Sequence, residues 1–155
     1  MDFYDWMLAL HLLSAFAIAS ALTLYSVMVV VGRRADDAEP RRTLFRLAPL
    51  GTPLVGGGSV LALILGVILA IDSDTFEIWD GWVIAALVLW AVMGAIGGQT
   101  GRYYTAVQKL AEEGGEGAQQ EVAARLRAPT GAMLHLATVA VFVLILLDML
   151  FKPGA

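Results

Sequence analysis

The chain has 155 residues, of which 59% are hydrophobic and 15% charged, with a net charge of −4 and no cysteine. With a mean hydropathy of +0.75, it is more apolar than an ordinary soluble domain, and an all-α polytopic membrane protein is expected. A large soluble catalytic domain, nucleic-acid binding through a basic surface, and any disulfide or cysteine-ligated cluster are excluded.

Four windows are free of Asp, Glu, Lys and Arg: 6–32, 47–71, 81–101 and 128–147. Each reaches the roughly 20 residues that an α-helix needs to cross a hydrocarbon layer ~30 Å thick. The expected architecture is therefore one integral membrane domain over residues 1–155. It is a four-helix bundle with spans at about 6–32, 47–71, 81–101 and 128–151. The start Met1, Asp2, Phe3, Tyr4, Asp5 lacks the basic n-region of a cleavable signal peptide, so the first helix is expected to be retained.

Basic residues set the orientation. Arg33, Arg34, Arg41, Arg42 and Arg46 fall in the first loop, and Arg102, Lys109, Arg125 and Arg127 in the third. The second loop carries Asp72, Asp74, Glu77 and Asp80 and no base, and the tail has only Lys152. The positive-inside rule then puts the first and third loops in the cytoplasm and both termini outside, in a multi-pass protein of the cytoplasmic (inner) membrane. Aromatic residues mark the same boundaries: Tyr4, Trp6, Trp79, Trp82 and Phe151 at the outer one, Phe45, Tyr103 and Tyr104 at the inner.

The third loop is too long for a turn. Tyr104, Val107 and Leu110, then Val122 and Leu126, recur at helical spacing around Gly114, Gly115 and Gly117. A cytoplasmic helical hairpin over about 102–128 is expected, with helix three continuing to about Glu113. A second helix would run from about Ala118 to a kink near Pro129. A solvated connector is the alternative.

Within lipid, burying apolar side chains gives helices no reason to associate, so small residues that allow close backbone approach mark their contacts. Helix two has Gly58, Ala62, Gly66 and Ala70 on one face. Helix three has Gly94 with Gly98 and Gly97 with Gly101, and helix one has Ala15 with Ala19 and Ala17 with Ala21. These read as packing within the bundle, with a homo-oligomer contact as the alternative. The run Gly56, Gly57, Gly58 after Pro53 is expected to weaken helix two and to pack closely against a neighbour, with a cradle for an anionic headgroup or substrate as the alternative.

The intramembrane ionisable groups are His11, His135 and Asp148. His11 lies six residues from Asp5, about 9 Å below the outer edge, and His135 eight residues from Arg127, about 12 Å above the inner edge. The imidazoles thus differ in depth by roughly 9 to 14 Å and belong to different sites. Near His135 the spans supply Tyr25, Ser26, Thr52, Ser59, Gln99, Thr100 and Thr138. Such a polar layer suits a cofactor edge, a quinone-like headgroup or an ion, or else a set of interhelical hydrogen bonds. Candidate cofactor contacts are His11, His135, Tyr25 and Gln99. On the outer side Met7 and His11 share a helix face, with Met149 near the same depth. Thioethers plus imidazole suit Cu(I). Asp148 is expected to pair with Lys152 or His11.

The run Trp6-Met7-Leu8-Ala9-Leu10-His11-Leu12-Leu13-Ser14-Ala15 places a histidine early in helix one. A basic first loop and a glycine-rich second helix follow. This pattern, over nearly all four helices, resembles a group of small integral membrane proteins of unknown function, related in type to copper-resistance D proteins and membrane protoporphyrinogen oxidases. The oxidase type implies haem b with His11 in the position of the helix-one ligand. The lysine that type places on helix three has no counterpart between Gly81 and Gly101. His135 is a poor substitute, because two imidazoles on one iron bring their nitrogens within ~4 Å.

Three functions follow as expectations. The first is a membrane accessory or ligand-binding protein without its own chemistry, since no nucleophile, carboxylate pair or metal-binding spacing is present. The second is a haem-b-linked oxidoreductase subunit. The third is transport of copper or a small solute, which four helices would accomplish only as a homo-oligomer or in a larger membrane complex.

Overall fold

The structure, a computed structural model, describes residues 2–34, 38–72 and 77–153, and only the backbone over 38–45. Asp74 and the side chains of Arg41, Arg42 and Phe45 lie outside the described residues. All regular structure among those described is helical: α1 Phe3–Arg34, α2 Ala38–Asp72, α3 Gly81–Glu113, α4 Glu116–Arg127 and α5 Pro129–Phe151. Four helices are long and apolar enough to cross a membrane, over Phe3–Arg34, Arg46–Asp72, Gly81–Glu113 and Pro129–Phe151.

Side chains that would be buried in a soluble fold point outward. Phe16 is 68% exposed, Leu136 67% and Leu150 72%. Such residues recur over all four long helices, more than the scattered exposure of a soluble monomer, and lipid is the solvent that suits them.

The helices form two pairs. α1 lies along α2 and α3 along α5, while α2 with α3 and α1 with α5 meet at few places. In the first pair a Cβ built on Gly51 would fall 2.6 Å from the Tyr25 ring. One on Gly58 would lie 3.1 Å from the Ser14 carbonyl oxygen, and one on Gly66 3.1 Å from His11 Cε1. These partners run in opposite order along the two helices, so α1 and α2 are antiparallel. Small residues, as expected, let the backbones approach.

The glycine run differs from expectation. α2 is continuous through Gly56, Gly57 and Gly58, and through Pro49 and Pro53. Only Gly58 meets α1, while Gly56 and Gly57 have open space beside them. Unwinding would leave backbone N–H and C=O groups unpaired within an apolar segment, so helical hydrogen bonding outweighs glycine's conformational freedom. The first loop is also shorter than expected, since α2 begins at Ala38 rather than near Leu47.

On α3 the glycines separate by face. Gly97 faces Thr138 of α5, whereas Gly94, Gly98 and Gly101 have nothing within 4 Å. α3 runs to Glu113 and α4 starts at Glu116, across Gly114 (φ 72°) and Gly115 (φ 85°). Left-handed backbone at two successive residues is a conformation glycine adopts without steric penalty. Val107, Val122 and Leu126 are buried where the hairpin closes, against Tyr103, Tyr104 and Leu110. The expected kink at Pro129 is a full break. Ala128, forced out of the α region by the following proline, has φ −58° and ψ 143°, and Pro129 opens α5.

The carbonyls at the end of α4 are held from outside that helix. Arg33 Nη1 donates to Ala128 O at 2.7 Å and to Leu126 O at 3.4 Å, and Tyr103 Oη donates to Arg125 O at 2.7 Å. A guanidinium at a helix C-terminus satisfies orphan acceptors and opposes the negative end of the dipole. These contacts fasten α4 to the arginine-bearing end of the bundle.

Candidate functional site

Between the two helix pairs, towards the acidic end of the bundle, lies a cavity of about 340 Å³. α1 lines it from Tyr4 through His11 to Ile18, α2 from Ala62 to Ala70, α3 from Trp82 to Met93, and α5 from Phe142 to Met149, with Lys152 just beyond its end. At 1.5 Å per helical residue these walls are roughly 15 Å long. The cavity is therefore elongated, within the size range of small-molecule sites. Ile18, Met93 and Phe142 of its lining belong to a buried cluster with Leu22. Its walls are almost wholly apolar.

His11 is the interior exception. Its Nδ1 lies 2.9 Å from Ala62 O. A carbonyl only accepts, so Nδ1 carries the proton and donates it. The Nδ1–Cε1 edge therefore faces α2, seated over Gly66. In the neutral ring Nε2 keeps its lone pair, and it has no hydrogen-bond partner among the described residues. Another wall residue, Trp90, is already engaged, its Nε1 donating to Ser59 Oγ at 2.9 Å. Lys152 sits at the rim, its Nζ 5.4 Å from the Trp82 ring centroid.

His135 is elsewhere. It is buried, does not line the cavity, and its Nε2 lies 2.8 Å from Ser26 Oγ. Ser26 has one proton and spends it on Leu22 O at 2.8 Å, so the hydroxyl oxygen accepts from His135 Nε2–H. This bond joins α1 to α5.

The polar residues expected around His135 are dispersed. Tyr25 Oη donates to Ala48 O at 3.3 Å and lies 3.3 Å from Thr52 Oγ1, joining α1 to α2. Ser59 meets Trp90, joining α2 to α3. Thr100 and Thr138 lie 3.4 Å apart between α3 and α5, but each hydroxyl proton goes to its own helix, at Ile96 O and Leu134 O. Gln99 is exposed. The structure places these groups in separate interhelical pairs, and of the four candidate cofactor contacts His11 alone lines the cavity.

Of the candidate copper ligands, His11 and Met149 line the cavity and Met7 does not. Among the described residues no group of three or more His, Cys, Asp or Glu could hold a metal ion. Asp148 Oδ2 is buried without a hydrogen-bond partner, while His11, one of its expected partners, turns to Ala62.

Sequence reasoning did not single out Trp90, Ala86 or the Ala62 carbonyl. The first had a readable signal, a tryptophan well inside an apolar span and away from either interface. The carbonyl had none, because every residue carries one. No family model matches the chain, and comparison with curated proteins and with solved structures finds no match.

Proposed function

We propose that this chain is a multi-pass integral membrane protein that binds a lipophilic small molecule in the cavity between its two helix pairs. It acts as an accessory or carrier rather than as a catalyst. The observation that carries this reading is an elongated apolar cavity lined by all four long helices, with one imidazole inside it. In this reading the arginine-bearing end is cytoplasmic, and the termini and the cavity rim are outside.

The chain has no native cysteine, so topology is testable with single-cysteine variants. Glu77→Cys is expected to label from outside intact cells and Glu112→Cys only after permeabilisation; the reverse pattern overturns the orientation. For the ligand, protein released from native membranes is analysed by native mass spectrometry. A bound apolar molecule is expected with the wild type and is lost in Ala86→Phe, where a ring fills the chamber. Failure of the wild type to retain any lipophile in lipid nanodiscs overturns the reading.

A second reading, haem b on His11, is favoured by the Nδ1–H bond to Ala62 O. Outer-sphere bonds of this kind orient metal-bound histidines and raise their basicity. The cavity offers one imidazole that would hold the group, since His135 is held at Ser26. When bound, haem would supply one-electron chemistry. His11 would orient it, and the apolar walls would exclude water. Haem-supplemented expression followed by a visible spectrum tests this; absence of a Soret band ends it.

A further inference from the structure

A molecule in a bilayer is already in an apolar solvent. Moving its hydrocarbon from lipid into an apolar cavity gains none of the stabilisation that leaving water would provide. Selectivity in such a cavity therefore rests on shape and on the few polar atoms inside it.

In the interior of this cavity the available polar atom is a specific one. Trp90 Nε1 is spent on Ser59, Trp82 is buried among Ala70 and Val83 with Lys152 over its ring, and Tyr4 and Lys152 stand at the helix ends. His11 lies seven residues in from Tyr4, about 10 Å along α1. Among the described residues no carboxylate lines the cavity to balance an imidazolium, and an unpaired buried charge is costly, so the ring is neutral. Nδ1 donates to Ala62 O, which makes Nε2 an acceptor and only an acceptor.

Resting on the reading of this cavity as a lipophile site, we infer that its ligand brings a hydrogen-bond donor to His11 Nε2. The ligand is a hydroxyl-bearing lipophile, either a long-chain alcohol or an alkyl hydroquinone, and the corresponding ether or quinone is discriminated against. A quinone carbonyl or an ether oxygen would face the Nε2 lone pair as acceptor against acceptor. Both groups would then be left unsatisfied among apolar walls, which is the asymmetry that gives polar sites their selectivity.

The test uses matched pairs on the full-length protein in lipid nanodiscs, with the shift in thermal midpoint against ligand concentration as readout. The probes are decylhydroquinone against decylquinone under reducing and non-reducing conditions, and 1-hexadecanol against its methyl ether. The donor member of at least one pair is expected to bind about tenfold more tightly, the value of one net hydrogen bond. The discriminating pair identifies the source of the hydroxyl. In His11→Leu the two members of that pair become equal, while binding of the acceptor member persists.

Equal binding of both members of both pairs in the wild type overturns the inference and leaves the cavity reading standing. Binding of none of the four overturns both. Discrimination that survives in His11→Leu assigns the acceptor to another group and also overturns the inference. The wild-type comparison needs no variant, so it is decisive even where His11→Leu fails to fold.

Discussion

Gly131 and Gly94 invite the same substitution with opposite consequences. A Cβ on Gly131 would fall 2.6 Å from Tyr103 Cε1 and 2.9 Å from Tyr104 Oη; one on Gly94 would meet nothing within 4 Å. The two tyrosine rings already stand edge to face, 5.4 Å apart, and Tyr103 Oη is committed to Arg125 O, so neither ring has slack. Overpacking of this kind costs about 1–3 kcal/mol, and displacing the Tyr103 hydroxyl adds about 1 kcal/mol. The helix preference of alanine over glycine returns at most about 1 kcal/mol. Gly131→Ala is therefore expected to lose about 2 kcal/mol, and Gly94→Ala to lose nothing or gain slightly. The assay is reversible unfolding in mixed micelles with increasing dodecyl sulfate, followed by helical circular dichroism. Adding Tyr103→Leu should restore part of the loss in Gly131→Ala, because the clash and its partner are removed together. Equal stability of the two alanine variants, or a double variant no better than the sum of the single changes, would refute the packing argument.

Ser26→Ala removes the acceptor for His135 and should cost about 0.6 kcal/mol, the mean for interhelical bonds in a membrane, with ~1.7 kcal/mol as the ceiling. A double-mutant cycle with His135→Leu measures the coupling, and a zero value would show that the bond contributes nothing. Arg33→Gln releases the end of α4, so amide exchange over Glu116–Arg127 should accelerate while the long helices stay protected; unchanged exchange would remove the clamp. Asp148→Asn should be at least as stable as the wild type, because Oδ2 is buried without a partner and removing the charge removes a desolvation cost. A loss of stability there would reveal a partner for that carboxylate.

The four long helices were legible because each carries an uninterrupted apolar run long enough to cross a hydrocarbon layer, and charges end each run. The turn after Glu113 was legible for a related reason, since Gly114 and Gly115 stand where helical periodicity pauses. The small-residue ladder of α2 pointed to the right face, with Gly58 and Gly66 against α1. Its counterpart on α3 did not resolve itself, because Gly94, Gly97, Gly98 and Gly101 look alike in sequence while only Gly97 meets a neighbour. The pattern of glycines does not say which face a partner occupies.

The site was legible only in part. Depth counting placed His11 and His135 at different levels, and they take different partners, Ala62 O and Ser26 Oγ. It could not say whether the polar residues near His135 gather into one pocket. That depends on the rotation of each helix about its axis, which packing sets and which a count of residues per turn does not contain. The cavity was invisible for the same reason: its walls are mostly leucines, alanines and valines of the kind exposed on the outside of the bundle elsewhere in the chain.

Because α1 and α2 pack along their length while the seam between the two pairs is thin, the first hairpin can complete its own contacts before α3 has left the ribosome. The chamber exists only once the second pair arrives. Strain or looseness introduced along that seam would alter the shape of the chamber without dismantling either hairpin, which makes it the place where the chamber can be remodelled by few substitutions.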